Sequence, residues 1–185
     1  MKISNFKFQI YNITPLIVII LAVLLRLVPH VPNFTPVAAM ALFGGVYLSK
    51  RLAFIFPLVV MFVSDMFLGF HQSMPYVYIG FFLTVLLGFA IRQKPSFFKV
   101  AGMTFLSAIV FFLITNWGFF LTNSLYPKTF SGQMSAYFMA LPFFRNSLLG
   151  DFFYTGLFFG SYFFVKTIFY KKGVVGNANI YKKRG

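Results

Sequence analysis

The chain has 185 residues, 59% of them hydrophobic and 22% aromatic, with a mean hydropathy of +0.84. Only 10% are charged, against about 25% in an ordinary soluble domain, and a domain of this size leaves too much surface wet to hide so many apolar side chains. The composition excludes a soluble enzyme and a disordered chain. It also excludes a nucleic-acid partner despite the net charge of +14, because the 16 Lys and Arg sit in short breaks between apolar runs and not on one face.

What remains is an integral membrane protein embedded in a lipid bilayer. Cysteine is absent, so disulfides, thiolate metal sites, Cys nucleophiles and lipoprotein anchoring drop out. A helix needs about 20 mostly apolar residues to cross a hydrocarbon core of about 30 Å. The first run of that kind, Ile10–Val28, follows Lys2 and Lys7 as in a signal peptide. No small-residue cleavage site follows it, so it is expected to be a retained span.

Pro29, Pro32 and Pro36 come next, within eight residues. They predict a stiff extended connection with few free donors. Thr35 before Pro36 reads as an N-cap followed by a first-turn proline. The run Pro36–Leu48 has 13 residues, only about 20 Å of helix. Either it continues past Leu48, or the proline-rich segment dips into the bilayer, where irregular backbone is tolerated only if buried in protein or lining a cavity. That segment, with His30 and Asn33, is a candidate lid.

Four further runs follow: Leu52–Leu68, Tyr76–Ile91, Lys99–Leu121 and Phe143–Phe169. Turn chemistry separates them at Ser49–Arg51, Gly69–Pro75, Gln93–Pro95 and Asn123–Gly132. Ser131–Leu141 is mildly amphipathic and predicts a short interfacial helix. The expected fold is all-α, a polytopic membrane protein of six transmembrane helices, with one domain over 1–169 and a basic tail over 170–185.

Alternate breaks differ in charge. Thirteen cations fall on one side: Lys2, Lys7, Lys50, Arg51, Arg92, Lys94, Lys99, Lys166, Lys171, Lys172, Lys182, Lys183 and Arg184. The other side has only Arg26, Lys128 and Arg145. By the positive-inside rule both termini are expected in the cytoplasm, with the tail against anionic lipid heads.

The polar residues divide the other way. Arg26, His30, Asn33, Thr35, Ser64, Asp65, His71, Thr115, Asn116, Asn123, Arg145, Asn146 and Asp151 all fall in the expected outer half or outer loops. This asymmetry predicts a polar pocket opening outward. The only acids, Asp65 and Asp151, lie in or at the end of apolar helices, where a carboxylate needs a partner or a wet cavity. Arg26 and Arg145 are the natural counter-charges, either as packing ion pairs or as solute-binding groups.

Ser147, Asp151, Tyr154 and Thr155 repeat at spacings of four, three and one along the last run and predict an inward stripe. Gly69 permits a turn that brings His71 back over the mouth. Trp117 reads either as an interfacial belt residue or as a stacking platform. Ala41 with Gly45, and Gly156 with Gly160, have small-residue spacings that serve either internal packing or docking to another membrane subunit. There is no phosphate-cradling loop for ATP, no metal-ligand spacing, no serine triad, and no cofactor is expected.

The run Arg26–Gly45, with Ser64-Asp65, Gly69-Phe70-His71, Thr115-Asn116-Trp117-Gly118 and Pro142–Gly160, resembles a family of small bacterial membrane proteins of unknown function over about residues 15–165. The resemblance implies a bacterial protein of the cytoplasmic (inner) membrane. More distantly, the layout is similar to the S-components of energy-coupling-factor transporters. It implies an outward-facing small-molecule site, a gating first outer loop, and a separate transmembrane coupling subunit with ATPases as partners. The alanine pattern by which that group docks is missing, since Ala22 is followed four residues on by Arg26. Docking then falls to Ala41, Gly45, Gly156 or Gly160.

Three functions are compatible with these readings. The leading one is a substrate-capture subunit for a small polar or amphipathic solute. In it Arg26 and Arg145 meet anionic groups, Asp65 and Asp151 accept from hydroxyls or amines, Asn116 and Asn146 line the site, and His30, Asn33 and His71 cover it. The second is an intramembrane enzyme acting on a lipid or lipid-linked substrate from the outer face, with His71 or His30 as base and Asp65 orienting it. The third is a ligand-free assembly subunit.

Overall fold

In the computed structural model of the chain, residues 23–28 and 31–171 are described. They form helices joined by short turns, with no strand among the described residues. A helical segment, α1 (residues 23–27), leads through a turn into α2 (Val37–Tyr47), α3 (Lys50–Leu68), α4 (Met74–Ile91), α5 (Phe97–Thr122) and α6 (Phe130–Lys171). Most of the expected first span, and the tail beyond Lys171, lie outside the described residues.

The short helix is the hub. Eleven residues give α2 a length of about 16 Å, and it packs against α3, α4, α5 and α6. Val37, Ala39, Ala41 and Leu42 are buried, so its lack of a polar face is that of a helix enclosed on all sides. Leu48 turns into extended backbone, so α2 does not continue past it. Pro36, in helical conformation, occupies the N-cap position expected for Thr35, and no side chain caps the helix.

Small residues set the distance between α2 and α4. A Cβ on Gly45 would come within 2.4 Å of the Val85 carbonyl oxygen, and one on Gly88 within 2.5 Å of the Leu42 carbonyl oxygen. The Ala41–Gly45 face is therefore internal packing and is closed to a docking partner. Gly156 and Gly160 have open space around them. Arg92, at the end of α4, donates from Nε to the Val46 carbonyl at 3.2 Å and caps the α2 C-terminus.

Local chemistry sets most helix starts and stops. The Ser49 and Ser96 hydroxyls accept from the backbone N–H groups of Leu52 and Lys99, three residues on, which satisfies orphan donors at the starts of α3 and α5. Gly69 ends α3 at φ 97°, a conformation that disfavours any residue with a Cβ. The Lys128 ammonium donates to the carbonyls of Phe120 and Asn123 and closes the end of α5.

The last helix departs from expectation. Ser131–Leu141 is not a separate interfacial helix but the start of α6, which runs unbroken for 42 residues through Pro142, about 63 Å. The stretch lies back along α5: the Tyr137 hydroxyl donates to the Leu113 carbonyl at 2.8 Å, and the Phe112 and Phe144 rings meet at 4.7 Å. Further in, the Thr104 and Thr155 hydroxyls touch at 3.4 Å. Neighbours along α5 anchor this stretch, so it needs no turn before the apolar run begins.

Among the described residues three helices, α3, α4 and α5, are long and apolar enough to cross a membrane. Their outward faces agree with that. Ile55, Phe62, Ile79, Phe82, Phe105 and Leu113 are about half exposed, a continuous apolar surface that water does not tolerate and lipid does.

Candidate functional site

The proline-rich connection is built as a turn and a plug. The Phe34 N–H bonds the Val31 carbonyl at 3.0 Å across Pro32 and Asn33, and Asn33 has φ 66°. Proline followed by a residue of positive φ is the type II arrangement, with Asn the usual alternative to Gly in second place. The turn drops Phe34 onto Gly150, where a Cβ would sit 3.1 Å from the Phe34 Cα. The Phe34 ring packs against Phe153 and Tyr154 at 5.7 and 5.6 Å. Irregular backbone here is thus held by protein, and its Asn33 and Thr35 face a cavity.

That cavity has a volume of about 520 Å³. Arg26, Asn33, His71, Asn116 and Asp151 all line it, from α1, the two connections on either side of α2–α3, α5 and α6. Thr35, Ser73, Thr115, Tyr126 and Ser147 join them, and Phe81, Phe111, Phe112, Phe119, Phe143 and Phe144 form the apolar wall. Asn33, His71 and Tyr126 lie at the loop end. Asp151 and Ala108 lie at the inner end, one turn short of the Thr104–Thr155 contact.

The two acids have different environments. Arg26 Nη1 lies 2.7 Å from Asp65 Oδ1 and also donates to the Ser64 hydroxyl and, at 3.3 Å, to the Met61 carbonyl. Asp65 is 1% exposed. Its second oxygen, Oδ2, and the Tyr78 hydroxyl are both buried and face one another, with no further partner for either among the described residues. Asp65 is thus an internal ion pair behind the cavity wall, not a wall residue.

Asp151 is 6% exposed, and no hydrogen bond or ion pair among the described residues reaches its carboxylate. Its expected counter-charge is missing for a geometric reason. Arg145 is six positions away on the same helix, which puts the two side chains about 120° apart around the axis. Arg145 is exposed and Asn146 partly buried, and neither lines the cavity. His30 lies outside the described residues.

Two hydroxyls and one amide N–H on the wall are committed to backbone carbonyls. Thr115 donates to the Phe111 carbonyl, Asn116 from Nδ2 to the Phe112 carbonyl, and Ser147 to the Phe143 carbonyl, at 2.8 to 3.1 Å. Thr115 and Ser147 thus offer a ligand only oxygen lone pairs, while Asn116 offers its Oδ1 and its second amide N–H. His71 Nδ1 is 2.8 Å from the Ser73 hydroxyl, while Asp65 is held by Arg26. The His71–Asp65 hydrogen bond that an enzymatic base would use is therefore not made.

The stripe on α6 is as expected: Asp151, Tyr154 and Thr155 are buried and Ser147 lines the cavity. Trp117 is half exposed outside the lining, edge-on to Tyr76 at 6.0 Å. Ser73 and the phenylalanine wall were not legible. Ser73 had only its place beside His71 as a signal, and with 30 phenylalanines in the chain no spacing separates wall from lipid face.

These features define an all-helical protein with helices built to cross a membrane and a polar-ended, aromatic-walled cavity at one end of the bundle. The chain belongs to the family of unknown function DUF6580, whose signature matches residues 6–173. No curated protein and no solved structure matches it.

Proposed function

We propose that the protein is a membrane-embedded substrate-capture subunit, similar in role to the S-components of energy-coupling-factor transporters, which takes up a small amphipathic molecule through its polar-ended cavity. The observation that carries this reading is the convergence of Arg26, Asn33, His71, Asn116 and Asp151 on one cavity of about 520 Å³, within the 300–1,000 Å³ usual for small-molecule sites. A few polar groups in an apolar concavity are what fix a ligand's orientation. The Asn33 turn and the His71 connection lie at its mouth as covering segments.

In this reading the protein is a multi-pass component of the cytoplasmic membrane with both termini inside, and the cavity opens outward. Lys50, Arg51, Arg92, Lys94 and Lys99 lie in or beside the connections at the end of the bundle away from the cavity, which supports that orientation. Energy would come from a coupling subunit and ATPases. With Ala41 and Gly45 enclosed, the open Gly156–Gly160 face of α6 is the remaining small-residue surface for docking. An assembly subunit without a ligand would account for the Arg26–Asp65 pair but gives no reason for a buried, unpartnered Asp151.

Native mass spectrometry of the protein extracted gently from its own membranes tests the proposal. A retained small molecule, lost in Asp151→Ala, is the expected result, with a coupling subunit and ATPases co-migrating. A bare chain carrying only bulk lipid in both proteins overturns it.

A further inference from the structure

The charges around the cavity do not cancel, and their imbalance specifies the ligand's head group. Among the described residues three cations belong to the cavity end of the bundle: Arg26, Lys128 and Arg145. Arg26 lines the cavity, but its charge is paired with Asp65 through Nη1, which also reaches Ser64 and Met61. Lys128 closes the α5 C-terminus on the Phe120 and Asn123 carbonyls. Arg145 is exposed and off the lining. Opposite them, Asp151 projects into the inner end with no partner among the described residues while 94% buried, the complement of its 6% exposure.

The neutral groups lean the same way. With their donors bonded into their own helices, Ser147 and Thr115 offer oxygen acceptors, and Asn116 offers its Oδ1 beside one remaining amide N–H. Ser147 stands one helical turn from Asp151 on the same face. The rings of Phe112, Phe143 and Phe144 line the same space, and ring faces attract cations.

We infer that the cavity binds an organic cation, with an ammonium head seated on Asp151 and Ser147 and an apolar or aromatic body against the phenylalanine wall. This deepens the capture reading and rests on it. A divalent metal fits less well, since it takes several oxygen or nitrogen ligands. Among the described residues no three His, Cys, Asp or Glu gather to supply them. An anionic solute, the partner the sequence assigns to Arg26 and Arg145, would face an unpaired carboxylate and a row of acceptors.

The test uses three probes with one body and different heads: 2-phenylethylammonium, 2-phenylethanol and 3-phenylpropionate. Each is titrated calorimetrically into the purified full chain in detergent. The ammonium is expected to bind at least about ten-fold tighter than the other two, and Asp151→Asn to remove that preference. Ser147→Lys places a competing internal cation one turn from Asp151 and abolishes ammonium binding, with folding checked by thermal unfolding. Arg145→Gln changes nothing.

Tightest binding of the carboxylate overturns the inference, as does ammonium binding that survives both Asp151→Asn and Ser147→Lys. So does failure of all three probes to bind. The native mass measurement separates the two levels. A retained anion or neutral molecule keeps the capture reading and removes the cation, whereas no retained molecule and no bound probe removes both.

Discussion

Asp65 and Asp151 are the only acids in the chain, both are almost fully buried, and they are opposite in kind. Asp65 lies in the last turn of α3 with a guanidinium at 2.7 Å. Asp151 lies partway along α6 with a cavity where a partner would be. A carboxylate kept charged and unpaired in the interior costs several kcal/mol, which an empty site avoids by taking up a proton, so Asp151 marks a place that a cationic partner would complete. The contrast separates the part of the polar cluster that holds the bundle together from the part that meets a ligand.

The largest effect is expected at the paired acid. Asp65→Asn or Arg26→Ala leaves a buried charge without its partner and should lower stability by about 3–5 kcal/mol, read as a fall in thermal midpoint and in membrane abundance. The double variant Arg26→Leu with Asp65→Leu removes both charges, so it should recover most of that loss. A double variant as unstable as the singles would show that Ser64 and Met61, which also receive Arg26, matter more than the ion pair.

Asp151→Asn should behave differently. With no partner to lose, the ligand-free protein should be no less stable than wild type, while retention of its small molecule falls at least about ten-fold. Thermal unfolding with and without added ligand separates the two effects. If Asp151→Asn destabilises the empty protein as much as Asp65→Asn does, Asp151 has a structural partner and the contrast collapses.

Much of this contrast could be read from the sequence, and the part that could not has a common cause. Local signals were legible: Gly69 as a turn after the third run, and the Ser147–Asp151–Tyr154–Thr155 stripe at helical spacing. So was the collection of polar residues at one end, because it follows from alternation of spans. Pairings between distant segments were not. Arg26 had two possible acids, and only packing chooses Asp65. The Gly45–Gly88 contact joins positions 43 apart, which one sequence cannot align. Lys128 looked like a topology charge until its reach to the α5 carbonyls appeared. The α6 boundary failed because Pro142 reads as a break in isolation, whereas contacts with α5 through Tyr137 before it and Phe144 after it support helix on both sides.

An intermediate effect is expected on the α5 side of the cavity. Asn116→Leu removes an acceptor from the wall and the bond to the Phe112 carbonyl, while leaving the Asp151 charge in place. Ligand retention should fall several-fold, less than in Asp151→Asn, since a neutral hydrogen bond contributes about half of what a charge-assisted one does. A loss as large as that of Asp151→Asn would move the centre of recognition from α6 to α5.

The smallest effect belongs to Arg145, which by charge alone looks like the partner of Asp151. Six helix positions place it on another face, where it is exposed and remote from the lining. Arg145→Gln should therefore leave both the thermal midpoint and ligand retention at wild-type values. The variant is informative because charge counting and helix geometry disagree about it. Counting predicts the loss of an ion pair to the unpartnered acid, while geometry predicts no interaction to lose. A clear drop in stability would mean that Arg145 reaches Asp151 after all. It would remove the vacancy on which the cation assignment depends, while leaving the Arg26–Asp65 pair as it stands.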